Sequence, residues 1–367
     1  MTAAEARRRE QIIQAAARLT GEGLIARTWG NISARLSETQ FLITPSGLAY
    51  ETMEPDQLVP VSIPDAAWTG PIKPSSERGI HADAYRLRPE VQFIIHTHQY
   101  YASVAGIEGR ALTGFIDPLL GKRAPCAAYG LPGTARLRRA VEAELTAWPD
   151  CRALLLRSHG ALCLGRDPED AFAAARALEE VSRARVLDRL EENRPFPVPP
   201  DLGFSRRQGD AFLLTRRGRS RIYLLNGSSL PRAAALHAAV YRAGHFRYVA
   251  HETSSQVLAV SASGRRLRPY LDDLAQIAGA DLLCVPAEPD RVHRAVRGRS
   301  AVLLRGMGAL CAGESEDDVL TLRALLAKGC EARLYAGAVP GCRPLHPADA
   351  ALQRLVYLRS YRKRGLC

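Results

Sequence analysis

The chain spells one block twice. ALLLRSHGALCLG at 153–165 resembles AVLLRGMGALCAG at 301–313, and both run into acidic, alanine- and leucine-rich stretches. HADAYR at 81–86 and HAAVYR at 237–242 repeat in the same order, each followed by an apolar segment. Ordered matches at an offset of about 150 residues mean two copies of a domain and not a short-period solenoid. The fold must therefore be one that 367 residues can build twice. Between the copies, RPFPVPP at 194–200 has the proline density that ends a helix and forms a short, semi-rigid linker. These boundaries predict a first domain at 1–193, a linker at 194–204 and a second domain at 205–367.

Each copy mixes helical and strand periodicity. In the first, helices are predicted at 5–19, 77–87, 134–147 and 168–190, and strands at 41–44, 91–98 and 153–157. Sheet between helices, at most three layers deep, is the simplest architecture for that order. Eight cysteines without a C-x-x-C pair are neither a disulfide framework nor a zinc ribbon, and imply a reducing cytoplasm. The N-terminus reads as an amphipathic helix without an export signal, and no membrane-length apolar run follows. The net charge of +12 raises the question of nucleic acid. Without a basic motif interleaved with aromatics, attraction for phosphorylated or carboxylated metabolites is the preferred reading, and nucleic acid is disfavoured as a partner.

The strand at 91–98 reads VQFIIHTH and ends on two histidines. Alternation puts His96 and His98 on one face, with Cβ atoms roughly 6–7 Å apart, so both imidazoles can reach one divalent ion. A second strand ends in Ser158-His159-Gly160, where the glycine permits close backbone approach. KPSSERGIH at 73–81 reads as a helix start, with Ser75 or Ser76 as N-cap and Glu77 in the first turn. Amides and hydroxyls there can hold a phosphate, and Glu77 can serve as a metal ligand or a base. WGNIS at 29–33 and ITPSG at 43–47 read as loops able to wrap an anion. His81, one helical turn beyond Glu77 and repeated as His237, is assigned to structure.

As an ordered set, GNIS, ITPSG, PSSE, HTH and SHG across residues 5–190 resemble the class II aldolase/adducin family. The resemblance implies an α/β fold, a three-layer α/β/α domain with a mainly antiparallel central sheet, present twice. It implies a zinc ion (Zn2+) on His96, His98 and His159, with Glu77 as acid/base and occasional fourth ligand. Manganese (Mn2+) or cobalt (Co2+) could replace it, since histidine-rich sites accept several metals. It further implies that Asn31, Ser46, Gly47, Ser75 and Ser76 hold the phosphate of a sugar substrate. The implied reaction is reversible aldol cleavage of a phosphorylated ketose through a zinc-stabilised enediolate. The alternatives are a sugar-phosphate 4-epimerase or dehydratase of the same family, or an adducin-like interaction protein without activity. The family's aldolases use a tyrosine after the H-x-H segment, and here Asp117 falls near that place. Asp117 is read either as catalytic or as the start of a turn with Pro118.

The second copy fails the same test. SSE gives way to residues within LPRAA at 230–234, HTH becomes His251-Glu252-Thr253, and SHG becomes Gly306-Met307-Gly308. One histidine of three cannot assemble the site, so one zinc per chain and a silent second copy are expected. A fused active–silent pair further suggests a homo-oligomer, a ring-like dimer of pairs. Tyr357, Tyr361 and the basic residues Arg359, Arg362, Lys363 and Arg364 could reach a neighbouring site in such an assembly, and the preferred reading is a solvated tail.

Overall fold

The computed structural model describes residues 2–25, 29–190 and 197–361. The chain divides into two compact units, the first running through Arg189 and the second covering Leu190–Ser360. Residues 194–196 of the expected linker and the basic residues 362–364 lie outside the described residues. Residues 197–203 have no regular secondary structure.

The first unit runs α1 (Ala3–Gly21), β1 (Asn31–Arg35), β2 (Gln40–Ile43), β3 (Val59–Ser62), α2 (Arg78–Leu87), β4 (Phe93–Thr97), α3 (Tyr100–Gly106), β5 (Leu112–Asp117), β6 (Gly121–Ala124), β7 (Cys126–Ala127), α4 (Ala135–Ala147), β8 (Ala153–Leu156), β9 (Gly160–Gly165) and α5 (Pro168–Arg189). Its sheet has the order β3-β2-β1-β4-β9-β8-β7, antiparallel throughout except where β7 meets β8. β4 and β9, at the centre, are buried along their whole length, which explains why they read as continuous apolar runs. Ile94, Leu154, Leu162 and Leu164 face α2 and α4, packing with Ile80, Tyr85, Leu137 and Val141. The opposite face is covered by α3 and α5, with Arg18 of α1 stacked on Phe172 of α5.

The second unit repeats the plan with β10 (Phe204–Gln208), β11 (Ala211–Arg216), β12 (Arg219–Leu224), α6 (Arg232–Ala243), β13 (Tyr248–Glu252), α7 (Ser255–Ala262), α8 (Asp272–Ala278), β14 (Cys284–Val285), α9 (Pro289–Val296), β15 (Ala301–Leu304), β16 (Gly308–Gly313), α10 (Glu316–Ala338) and α11 (Pro347–Val356). The sheet order β12-β11-β10-β13-β16-β15-β14 is that of the first unit, with one parallel edge pair. One buried clamp recurs in both. Ser33 Oγ bridges His81 Nδ1 (2.7 Å) and Tyr85 OH (2.8 Å), and Ser205 Oγ bridges His237 Nδ1 (2.7 Å) and Tyr241 OH (2.7 Å). It ties the first strand of each β-meander to the helix above it.

Three local expectations are corrected. WGNIS is not a loop: Asn31 opens β1, pairing directly with His96. The helix expected at 77–87 begins at Arg78, and Glu77 holds the N-cap position without using its side chain as a cap. His98 lies one residue past β4, its backbone N–H bonded to Leu24 O at 3.2 Å.

Candidate metal centre

Three imidazoles meet where β4 ends and β8 turns into β9. The ligating atoms of His96, His98 and His159 all lie within 4.8 Å of one another, and all three residues are buried. His96 and His159 stack at 4.9 Å between centroids with 7° between planes, while His98 meets both edge-on. Ser158 adopts the left-handed conformation (φ 61°), which turns the chain sharply enough to bring His159 inward. Gly160 follows against the Thr97 carbonyl, where a Cβ would overlap the oxygen. His96 Nδ1–H donates to Ala161 O at 2.9 Å, so Nε2 is the ring nitrogen turned to the cluster, 3.1 Å from His159 Nε2. That backbone bond fixes the tautomer a metal ligand needs.

Glu77 closes the cluster. Its Oε1 is 3.0 Å from His159 Nε2 and its Oε2 is 3.2 Å from His96 Nε2. Burial alone pushes this carboxyl up, but the charges and hydrogen bonds of His96 and His159 outweigh it and hold Glu77 well below the usual carboxylate range. Asn31 orients it: Nδ2 donates to Glu77 Oε2 at 3.1 Å, while Asn31 Oδ1 faces His81 Nε2 at 2.5 Å. Burial lowers His81 to about 3, so the ring is neutral and its Nε2–H can donate to that oxygen. His81 thus holds Glu77 through Asn31. The repeat at His237 hinted at a structural role for His81, but no sequence signal linked it to the carboxylate.

The remaining expected residues fall into two groups. Ser46 N–H donates to Lys73 O (2.9 Å) and Ser75 N–H to Thr44 O (3.0 Å), so the ITPSG and PSSE segments lie side by side. Gly47 has φ 77°, which the turn requires, and Ser75 Oγ accepts from Glu77 N–H at 3.2 Å. Ser75 is buried and Ser76 exposed. Asp117 stands apart in this bonding pattern: its Oδ1 accepts from Leu119 N–H and Leu120 N–H, both at 2.8 Å, and closes the β5–β6 hairpin.

In the second unit the strand register identifies equivalent positions. Ser33 pairs with Ile43 and Ile94, and Ser205 with Leu214 and Val249. His251 therefore stands for His96, Thr253 for His98, Met307 for His159, Ala233 for Glu77 and Gly203 for Asn31. The surviving imidazole is tied up at both nitrogens: Nδ1 accepts from Leu202 N–H (3.1 Å) and Nε2 donates to Met307 O (2.7 Å). That tautomer is opposite to the one of His96 and turns no lone pair toward a metal. Among the described residues, the first unit alone brings three histidine, cysteine or acidic side chains into a metal-binding cluster.

The family described as Class II Aldolase and Adducin N-terminal domain matches residues 10–186 and again 207–334. The chain belongs to that family. The 5-methylthioribulose-1-phosphate/5-deoxyribulose-1-phosphate aldolase of Rhodospirillum rubrum is 34% identical over 217 residues, covering 52% of this chain and 96% of that protein. The 5-deoxy-D-ribulose 1-phosphate aldolase of Bacillus thuringiensis serovar kurstaki is 32% identical over 174 residues, 47% of this chain and 80% of its own. Among solved structures, the L-fuculose-1-phosphate aldolase from Thermus thermophilus matches 50% of this chain and 95% of its own at 28% identity and a TM-score of 0.43. No helix among the described residues is long and apolar enough to cross a membrane.

Proposed function

We propose that the first unit is a metal-dependent aldehyde-lyase that cleaves a phosphorylated ketose reversibly, with a 5-deoxypentulose 1-phosphate as the first substrate to try. The observation that carries this reading is the convergence of His96, His98 and His159 with Glu77 in one buried cluster. The substrate class follows the two relatives named for 5-deoxyribulose 1-phosphate, each more than 30% identical. The donor set fits a divalent cation with an open position, zinc before manganese or cobalt. When bound, such an ion supplies Lewis-acid polarisation of the substrate's carbonyl and hydroxyl oxygens.

The chain's own residues do the rest. Glu77, ionised and held by Asn31, takes and returns the proton on the carbon beside the carbonyl. The paired turns around Ser46, Gly47, Ser75 and Ser76 offer amides and hydroxyls to the phosphate. Asp117 is assigned to its hairpin, where its carboxylate accepts from two backbone amides. We also propose that two chains form a ring-like dimer in which live and silent units alternate; a stable monomer by mass measurement at working concentration removes that part.

The test of the reaction is Glu77→Gln. This near-isosteric variant is expected to retain the metal and lose both cleavage of the ketose phosphate and isotope exchange beside the carbonyl. Exchange at the wild-type rate would remove Glu77 from the mechanism.

A further inference from the structure

We propose that the silent crevice of the second unit is a phosphate-ester binding site: it takes a small phosphorylated metabolite and holds it without turnover. The evidence is what replaces the lost groups. With Ser205 aligned to Ser33, residues ITPSG at 43–47 correspond to LTRRG at 214–218, and Gly218 keeps the left-handed conformation of Gly47 (φ 74° and 77°). Ser46 becomes Arg217 and Pro45 becomes Arg216. With His237 aligned to His81, Ser76 becomes Arg232 while Glu77 becomes Ala233. The positions proposed to meet a phosphate and a cation in the first unit have lost their carboxylate and gained three arginines.

Two of these side chains, Arg216 and Arg232, border the vacated space. Arg216 packs against Gly203, with its Cγ 2.5 Å from where a Cβ would stand, and so fills the region that Asn31 occupies in the first unit. Its Nε–H donates to Asp201 O at 2.8 Å, leaving the other guanidinium nitrogens for a ligand. Arg232 reaches Met307, Nη2 to Sδ 3.5 Å, at the His159 position. His237 is fully buried beside the Leu202 backbone, and Gly203 offers its ring no side chain in the place of Asn31. The nearby acids are engaged elsewhere: Asp201 Oδ1 accepts from Gly203 N–H at 2.8 Å, and Glu252 pairs with Arg323 at 2.7 Å. Among the described residues no carboxylate forms an ion pair with Arg216, Arg217 or Arg232.

The wider charge agrees. Residues 1–200 hold 24 Lys+Arg against 24 Asp+Glu, whereas residues 201–367 hold 26 against 14, so the whole excess of +12 belongs to the second half. A phosphate dianion suits two or three arginines, whose donors match its oxygens in pairs. Thr253, Met307 and Ala233 stand where two metal ligands and the base stand in the first unit, so this is a holding or sensing site.

Titration calorimetry of the full chain with ribose 5-phosphate, and with inorganic phosphate, tests the inference. The His98→Ala variant, whose metal centre is disabled, is the background, with Ser76→Arg added to block the phosphate turns of the first unit. One binding event is expected to persist there and to weaken about ten- to a hundredfold in Arg232→Ser or in Arg216→Ala, the cost of a charge-assisted hydrogen bond. Arg232 is exposed, so its replacement tests the site even if Arg216→Ala fails to fold. Absence of binding in that doubly substituted background, or binding indifferent to both arginines, overturns the inference. So does a single-stranded oligonucleotide that binds more tightly than ribose 5-phosphate through the same arginines, since the surface would then be a polyanion site. The lyase reading is tested independently by Glu77→Gln: an inactive first unit leaves this inference standing, and an active one does not rescue it.

Discussion

Asn31→Ala probes the structure at its most economical point. Both ends of that amide are used inside the protein, and Asn31 and Glu77 are only 2% and 7% exposed, so water cannot substitute. Truncation removes a hydrogen bond to a charged acceptor, about 1.5–3 kcal/mol. It also leaves the His81 Nε2–H buried without a partner, about 1–3 kcal/mol more. A loss of about 3–5 kcal/mol is a large share of the 5–15 kcal/mol that typically separates folded from unfolded domains. Urea unfolding followed by probes in each unit reads it: the first unit's transition is expected to move to lower denaturant. The second, which carries Gly203 at the same position, is expected to stay where it is. Adding Glu77→Ala removes the stranded carboxylate as well, so the double variant should lose less than the two single losses added together. Activity should fall about a hundredfold even where the protein is folded, because Glu77 is no longer held in place. A first-unit shift below about 0.5 kcal/mol, the range of an ordinary surface change, refutes the reasoning.

Three further outcomes follow from the same geometry. A Cβ at Gly160 or Gly308 overlaps the carbonyl oxygen of Thr97 or Glu252, so Gly160→Ala and Gly308→Ala should each destabilise their own unit by more than about 2 kcal/mol, read by the same urea transitions; unchanged midpoints contradict the close strand contact. His237 is held near 3 by burial, against an ordinary 6.5, so the fold favours its neutral form; that stability is complete above pH 6.5 and is lost by about 1.4 kcal/mol per pH unit as pH falls toward 3. Comparing wild type with His237→Asn at pH 7 and 4.5 should show a smaller loss in the variant, and equal losses contradict it.

The duplication, the helix order and the three histidines were legible because each is a pattern in the side chains themselves. Period-two alternation put His96 and His98 together, and SHG at a strand end announced His159. Other features depend on partners far along the chain. GNIS looked like a loop because glycine and small polar residues dominate it, yet pairing with His96 makes it β1. The helix at Glu77 begins one residue late because the carboxylate turns toward two imidazoles instead of capping amides. The β5–β6 hairpin was not visible, since Thr113-Gly114 interrupts the alternation of a strand lying outside the main sheet. The arginines at 216, 217 and 232 stood in the open. Their correspondence to Pro45, Ser46 and Ser76 appeared only once strand register and the helical histidines His81 and His237 aligned the two copies.

The duplicated chain is its own control. The Ser33–His81–Tyr85 clamp persists as Ser205–His237–Tyr241, so it serves the fold, whereas Asn31, Glu77, His98 and His159 are all replaced. The groups lost together are the ones a cation and a proton would need.

Metal analysis of the purified chain beside its His98→Ala variant puts the central claim to its most direct test. The account predicts about one zinc-type ion per wild-type chain and nearly none in the variant, because a single unit keeps three converging imidazoles. Two ions per chain, or a full complement retained without His98, would contradict it.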